Sequence, residues 1–174
     1  MKKSILLLLL ALTFTLDVFS QEEVKSSTTL IFVRHAEKVD DGTRDPALSP
    51  EGEVRAILLR DILSSEYEEI NAIFSTPYKR TQFTAKPSSE YYEVDVEEYG
   101  LKDPKALINS ILEKYSGQTV LIVGHSNTTP MLVNVVLGEE KFPQLDESVY
   151  NQIYILQATE VGEATVEVKT YDTN

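Results

Sequence analysis

The chain contains two histidines, and each of them lies at the end of a short apolar segment. His35 follows "LIFVR" and His125 follows "TVLIVG", so both imidazoles come directly after segments that have the pattern of buried strands. Arg34 precedes the first histidine, and Asn127 follows the second by two residues. A third short apolar segment begins "AIFSTPYKRT", in which Arg80 follows the apolar residues. Polar groups that collect at strand ends in this way are typical of a binding or catalytic site.

These residue types suit the binding and transfer of a phosphoryl group. Arginine donates forked hydrogen bonds that match phosphoryl oxygens, and helix N-termini add oriented backbone N–H groups. A neutral imidazole can attack phosphorus as a nucleophile, while a second histidine stabilises charge on the phosphoryl oxygens. A carboxylic acid should protonate the leaving oxygen. None of these steps requires a metal ion, and the sequence has no HExxH or carboxylate-rich magnesium motif.

Alternating strand-like and helix-like patterns predict the elements that position these groups. The strands are expected at residues 28–33, 72–74, 91–96, 119–124, 152–159 and 164–171, of which the last two form a hairpin. The helices are expected to begin at Pro50 and near Tyr78, and to cover residues 104–115 and 129–137. The alternation predicts an α/β fold, a three-layer sandwich with a mostly parallel central sheet whose carboxyl edge carries the site.

Local patterns add more detailed expectations. Ser49 is predicted to cap the first helix, with Pro50 at its first position. The apolar face of this helix is predicted to consist of Val54, Ile57, Leu58 and Ile62. The segment "KPSSE" is expected to cut the second helix short. Glu37 and Lys38 flank the pocket, and their interpretation as surface charges of a polar loop is at least as well supported as a role in it. The segment "LDESVYN" (145–151) could bring Asp146 or Glu147 near the site, but a plain loop is favoured.

Three segments resemble the signature segments of the histidine phosphatase superfamily, the phosphoglycerate mutase-like proteins: "VRHAEK", "STPYKRTQFTA" and "VGHSNTTP". The resemblance is to small, phosphatase-type members and extends from about Thr29 to the final hairpin. It implies a phosphoglycerate mutase-like fold. It also implies that His35 is the nucleophile, that Arg34 and Arg80 hold the phosphate, and that His125 is the second histidine of the pocket.

The general acid is where the chain departs from that family pattern. Many relatives carry a glutamate shortly after the third strand, within a segment that also contains leucine and arginine. The corresponding stretch here, "VDVEEYGLKDP", lacks such a segment. Glu97, Glu98 and Asp103 are the candidates, and Glu98 is preferred. Asn127 is interpreted as a helix cap and also as a donor to the phosphate.

The composition excludes several classes of partner and chemistry. The 174 residues include 16 basic and 28 acidic side chains, which give a net charge of −12. Such a surface repels nucleic acid and anionic membrane, so neither is expected as a partner. Because the chain has no cysteine, disulfide bonds, thiolate catalysis and cysteine-based zinc sites are excluded. No cofactor is expected, and an anion must bind in a local basic pocket.

Residues 1–20 have the order of a secretory signal peptide. Two lysines precede an apolar run at residues 5–16, and "VFS" forms a small-residue cleavage site before Gln21. The run is shorter than the roughly 20 residues that span a bilayer, so cleavage is favoured over a retained anchor. We therefore expect a single mature domain over residues 21–174, secreted or periplasmic, without a further membrane association.

Three functions are compatible with these observations. The first is an exported, metal-independent phosphatase that acts on a phosphomonoester or a phosphoprotein through a phosphohistidine intermediate on His35. Its rate should follow a bell-shaped pH profile with an acid-side optimum. The second is a non-catalytic phosphoryl-binding module, suggested by the missing acid segment. The third is a mutase, which is less favoured because the chain lacks long insertions that enclose a substrate. The sequence does not specify the oligomeric state.

Overall fold

A six-stranded sheet forms the centre of the structure, a computed structural model that describes residues 26–172. The strands are β1 (Thr28–Arg34), β2 (Ala72–Ser75), β3 (Val96–Glu98), β4 (Thr119–Gly124), β5 (Gln152–Glu160) and β6 (Glu163–Thr170). Their order is β3-β2-β4-β1-β5-β6. The pairs β2–β3, β2–β4 and β1–β4 are parallel, whereas β5 pairs antiparallel with both β1 and β6. The predicted mostly parallel sheet and its closing hairpin are confirmed.

Helices cover both faces of this sheet because side chains of a strand point alternately to its two sides. The helices are α1 (Pro50–Glu66), α2 (Lys79–Tyr92), α3 (Pro104–Lys114) and α4 (Thr128–Leu137). From β1, Leu30 and Phe32 pack with residues of α3 and α4. Ile31 and Val33 pack on the opposite face with residues of α1 and α2. The predicted three-layer sandwich is therefore confirmed.

The parallel register aligns the carboxyl ends of the three central strands at one edge. Arg34 at the end of β1 lies beside Gly124 at the end of β4, and Ser75 at the end of β2 lies beside Val123. The residues that follow these strands, including His35 and His125, therefore emerge next to one another. This is the edge at which ligands bind in open α/β sheets.

Helix α1 buries a different face from the predicted one. Ser49 does cap it, since its Oγ accepts a hydrogen bond from the Gly52 N–H at 3.1 Å. The buried side chains of the helix are Arg55, Ala56, Leu59 and Leu63. Val54 and Ile57 are instead 54% and 47% exposed. Leu58 and Ile62 are partly buried and pack against the core, so the prediction is wrong for Val54 and Ile57 only. The helix is rotated so that Leu59 and Leu63 face the sheet together with Arg55, which is buried through an ion pair with Glu37.

Helix α2 is longer than predicted. It continues through Pro87 to Tyr92 and ends at Glu93, whose backbone is left-handed with φ of 57°. Proline removes one intrahelical hydrogen bond, but Ala85 and Ser88 on either side are fully buried and hold the helix against its neighbours. The strand predicted at residues 91–96 is therefore wrong, and β3 begins only at Val96.

No helix within residues 26–172 is both long and apolar enough to cross a bilayer. The predicted signal peptide, residues 1–20, lies outside the described residues, so its cleavage stays a prediction.

The packing of α1 against the loop that follows His35 makes Gly52 sensitive to substitution. A Cβ atom at this position would overlap the backbone carbonyl of Glu37. Alanine normally stabilises a helix relative to glycine by up to about 1 kcal/mol. We nevertheless expect Gly52→Ala to lower the free energy of unfolding by about 1–3 kcal/mol, measured by urea denaturation, because of the overlap. Gly100→Ala is the control, since a Cβ there meets nothing within 4 Å. Unchanged or increased stability of Gly52→Ala would contradict this packing.

Candidate active site

A cleft of about 520 Å³ opens at the carboxyl edge of the sheet. Its lining residues come from the segments after β1, β2, β3 and β4 and from the loop before β5, and they include both histidines and Arg80. A larger groove, of about 680 Å³, lies between α1 and α2 and contains no histidine. The chemistry predicted from the sequence is therefore confined to the smaller cleft.

His35 is held in one tautomer by the backbone around it. It directly follows β1, and its own N–H donates to the Gly124 carbonyl at 2.9 Å. Its Nδ1 lies 2.7 Å from the Ala36 carbonyl oxygen. Because a carbonyl only accepts, Nδ1 carries the proton and Nε2 keeps its lone pair. The arrangement leaves the second ring nitrogen as a nucleophile.

The surroundings of His35 also keep its imidazole neutral. The residue is only 3% exposed. Burial is the largest effect and, together with His125 and the positive charges of Arg34 and Arg80, lowers the pKa of His35 to about 3. The hydrogen bond that Nδ1–H donates to the Ala36 carbonyl acts in the opposite direction but is outweighed. A neutral, desolvated imidazole is the form that attacks phosphorus.

His125 lies beside His35, with 5.4 Å between the ring centroids. Its Nδ1 is 3.5 Å from Arg80 Nη2, and its Nε2 is 2.9 Å from the Thr76 hydroxyl. Because a guanidinium only donates, Nδ1 is the acceptor and Nε2–H donates to Thr76. Burial, followed by the charges of Arg80 and Arg34, lowers the pKa of His125 to about 4. Both histidines are therefore neutral at neutral pH when the cleft holds no anion.

Arg80 is placed by the first turn of α2. Its guanidinium lies 4.6 Å from the centre of the Tyr78 ring, and its Nη1 is 3.8 Å from an Asp45 carboxylate oxygen. The Thr84 hydroxyl donates to the Arg80 carbonyl at 2.7 Å and accepts the Ala36 N–H at 2.9 Å. Thr84 thus ties the turn that carries Arg80 to the residue that orients His35.

Arg34 lies behind the cleft and organises a loop. The side chain is 1% exposed. Its Nη1 donates to the carbonyls of Asp146, Glu147 and Val149 at 2.9, 3.2 and 2.9 Å, and its Nη2 donates to the Glu147 carboxylate at 2.7 Å. Only its buried Nε has no partner among the described residues. The residue predicted to hold phosphate therefore has only its Nε–H and one Nη2–H left for that task, and most of its hydrogen bonds are structural.

Asn127 lies at the mouth of the cleft. It occupies the N-cap position of α4, but its side chain makes no capping hydrogen bond. It is exposed and contributes to the cleft lining. The predicted helix-cap hydrogen bond is therefore not made, whereas the side chain is placed where it could donate to a ligand.

The structure does not bring the three acids predicted from the family pattern to the cleft lining. Glu98 is exposed and accepts a hydrogen bond from Gln82 at 2.7 Å. Glu97 accepts from the Tyr115 hydroxyl at 3.0 Å, and Asp103 caps α3 by accepting the Ala106 N–H at 2.9 Å. Each carboxylate is engaged elsewhere, and none is among the residues that line the cleft.

A different carboxylate, that of Glu147, does line the cleft. It accepts the Ser126 hydroxyl at 2.6 Å as well as the Arg34 guanidinium. Residues 145–151 therefore do bring one of their two acidic residues, Glu147, to the site, and the favoured interpretation as a plain loop is wrong for it. The sequence carries no local signal for this contact, because it depends on a cation more than one hundred residues away.

Of the two flanking charges, Glu37 is not the predicted surface residue, whereas Lys38 is exposed as predicted and also borders the cleft. Glu37 accepts from the buried Arg55 at 2.8 Å and so fixes the loop after His35. Lys38 is exposed but lines the cleft, where its ammonium group can meet an anion. Within residues 26–172, no three histidine, aspartate or glutamate side chains are arranged to hold a metal ion.

Comparison with known proteins agrees with this geometry. Residues 30–100 match the family model described as histidine phosphatase superfamily, branch 1. No curated protein sequence matches the chain significantly.

Several solved structures share the fold. The protein histidine phosphatase SixA complexed with tungstate is 18% identical, has a TM-score of 0.67, and the match covers 82% of this chain and 96% of that chain. A phosphoserine phosphatase from Entamoeba histolytica in complex with 3-phosphoglyceric acid is 15% identical, with a TM-score of 0.65 and coverage of 84% and 98%. YhfR from Bacillus stearothermophilus is 18% identical, with a TM-score of 0.66 and coverage of 84% and 98%.

At such low identities these structures establish the fold. The family model adds the segment that carries Arg34, His35 and Arg80. The matched segment and the shared fold are therefore both similar to those of the histidine phosphatase superfamily.

Proposed function

We propose that this protein is a phosphatase that hydrolyses a phosphomonoester, or a phosphorylated protein side chain, through a phosphohistidine intermediate on His35. The observation that carries this proposal is the 2.7 Å contact of His35 Nδ1 with the Ala36 carbonyl, which leaves Nε2 unprotonated beside His125 and Arg80. The names of similar structures, a protein histidine phosphatase and a phosphoserine phosphatase, support a phosphorylated substrate.

The site residues divide the work of the first step. His35 Nε2 attacks phosphorus in line with the leaving oxygen. Arg80 and His125 donate hydrogen bonds to the phosphoryl oxygens, for which His125 must turn its Nε2–H away from Thr76 or gain a proton. The phosphorylated imidazole carries a positive charge, and its Nδ1–H keeps the hydrogen bond to Ala36. Water then attacks phosphorus and releases inorganic phosphate together with neutral His35.

Replacement of His35 tests the mechanism directly. We expect His35→Ala and His35→Asn to lower phosphate release from p-nitrophenyl phosphate by more than about 1,000-fold, because both remove the nucleophile. The asparagine variant retains a polar side chain in the buried position and guards against simple misfolding, which a thermal melt checks. Near wild-type activity of either variant would refute the phosphohistidine mechanism.

The same protein distinguishes a phosphatase from a phosphoryl-binding module. Wild-type protein mixed with a ³²P-labelled phosphoester and quenched in alkaline detergent should retain label, since phosphohistidine survives alkali. His35→Ala should retain none. Tight binding of phosphate by the wild type without any covalent label or turnover would show a binding module instead.

The lowered pKa values predict the position of the acid limb of the rate profile. The neutral form of His35 is the nucleophile, and a pKa of about 3 means that it stays neutral as the pH falls from 7 to 4. The proton donor is increasingly protonated over the same range, so kcat/KM should rise toward acid pH and fall only near pH 3. The profile is measured with phenyl phosphate, whose leaving group benefits from a proton, and is corrected for the ionisation of the substrate. An acid limb near pH 6.5, or a flat profile from pH 4 to 9, would contradict this assignment.

We further propose that the protein is exported and that its mature chain begins at Gln21. The support is the basic, apolar and small-residue order of residues 1–20. N-terminal sequencing of the protein purified from the envelope or medium of a bacterial host should start at Gln21. A start at residue 1 would show that the segment is retained.

A further inference from the structure

We propose that Glu147 is the carboxyl group that transfers protons in this site, a role that rests on the phosphatase function proposed above. The inference comes from the loop before β5 and not from the stretch after β3 in which the family pattern places an acid. Glu147 lies outside the three segments that carry the family resemblance.

The first support is location. Of the described residues that line the cleft, Glu147 is the one that carries a carboxyl group. It shares this lining with His35, His125 and Arg80. A group that protonates a leaving oxygen must reach the atom that departs from phosphorus, so it has to face the same cleft as the nucleophile.

The second support is the way the loop is held. Arg34 Nη1 donates to three backbone carbonyls of residues 146–149, and the Leu145 N–H donates to the Ser126 carbonyl at 2.9 Å. The Asp146 carboxylate closes the turn by accepting the Ser148 N–H at 2.8 Å. These contacts fix the backbone of Glu147 relative to the ends of β1 and β4, which a proton-transferring residue requires.

The third support is the environment of the carboxylate itself. Oε1 accepts from Ser126 and Oε2 accepts from Arg34, so each oxygen has one anchoring donor and a lone pair to spare. The side chain is nevertheless 69% exposed. The hydrogen bond from Ser126 and the charge of Arg34 lower the pKa of this carboxyl group, so its protonated form is populated at acid pH, where the highest rate is expected. Its exposure lets it exchange protons with water between turnovers while its position stays defined.

Other acidic groups near the cleft are committed to structure. Asp45 accepts the Lys79 N–H at 2.9 Å at the start of α2 and contacts Arg80. The Tyr99 hydroxyl donates to the Val123 carbonyl at 3.2 Å, and burial raises the pKa of Tyr99 far above neutrality. Neither provides an acidic proton directed at the cleft.

Glu147 gives up one proton in the first step and regains one in the second. In the first step His35 Nε2 bonds to phosphorus, the bond from phosphorus to the leaving oxygen breaks, and that oxygen takes both the electron pair and the proton of the Glu147 carboxyl. In the second step water bonds to phosphorus, the Nε2–P bond breaks with its electron pair returning to Nε2, and the Glu147 carboxylate takes a proton from the water. Glu147 is thereby restored to its protonated form.

The test varies the acidity of the leaving group. Loss of a merely structural residue would lower the rate equally for good and poor leaving groups. Glu147→Gln keeps the size of the side chain and one oxygen for Ser126 but cannot transfer a proton. Values of kcat/KM are measured for p-nitrophenyl, phenyl and alkyl phosphates. We expect a loss of less than about 5-fold for p-nitrophenyl phosphate, whose leaving group needs no proton, and of more than about 100-fold for the alkyl ester.

The ratio between substrates is measured within one protein preparation, so partial unfolding cannot produce it. Glu113→Gln, an exposed glutamate on α3, is the charge-matched control and should leave all three values unchanged. Glu98→Gln is measured in parallel, and a leaving-group-dependent loss there would overturn the assignment to Glu147.

Two other results would also overturn it while leaving the phosphatase function intact. One is an equal loss for all three esters. The other is that Glu147→Gln still turns over the alkyl ester and is inhibited more tightly by inorganic phosphate. This would show that the Glu147 carboxylate only competes with a bound anion for the same position. Absence of activity in the wild type toward every ester would instead overturn the proposed function itself.

Discussion

The parallel pairing of β1 with β4 is the constraint on which the site depends. Both strands are almost entirely buried, and their register places Arg34 beside Gly124. Each strand therefore delivers a histidine to the same point, and the two rings lie 5.4 Å apart. A shift of one residue in this register would turn the buried side chains of one strand toward the wrong face, so core packing fixes the relative position of the two histidines.

Burial determines the chemical state of these histidines as much as their position. Desolvation and nearby guanidinium groups both disfavour protonation. Each ring therefore stays neutral at pH values well below the usual pKa of histidine. Neutrality suits a nucleophile, and the Ala36 carbonyl selects which nitrogen is free. Arg80, one of the cations that suppress protonation, also lines the cleft and is available to an anion, so one charge supports both substrate binding and attack.

Buried arginines connect the site to the rest of the domain. Arg34, at the end of β1, is surrounded by backbone carbonyls and by the Tyr150 ring at 4.1 Å. These fixed groups take the place that water would have around an exposed guanidinium. Arg55 does the same on the other side, where it joins Glu37 to the carbonyl of Tyr171. Buried charges are tolerated only when they are paired and hydrogen-bonded. The loop before β5 and the loop after β1 are thereby held by side chains instead of by regular secondary structure.

The sequence by itself determined the fold class and the residues that carry the resemblance. Local patterns were sufficient for this, because buried strands such as "LIFVR" and "TVLIVG" are short apolar runs and because His35 and His125 follow them directly. Tertiary structure alone decided which carboxylate faces the cleft and what Arg34 contacts. Glu147 is joined to Arg34 across 113 positions of the chain, and the buried face of α1 depends on a pairing between Arg55 and Glu37. Such contacts follow from how the loops pack on the finished sheet, and periodicity within a segment contains no information about them.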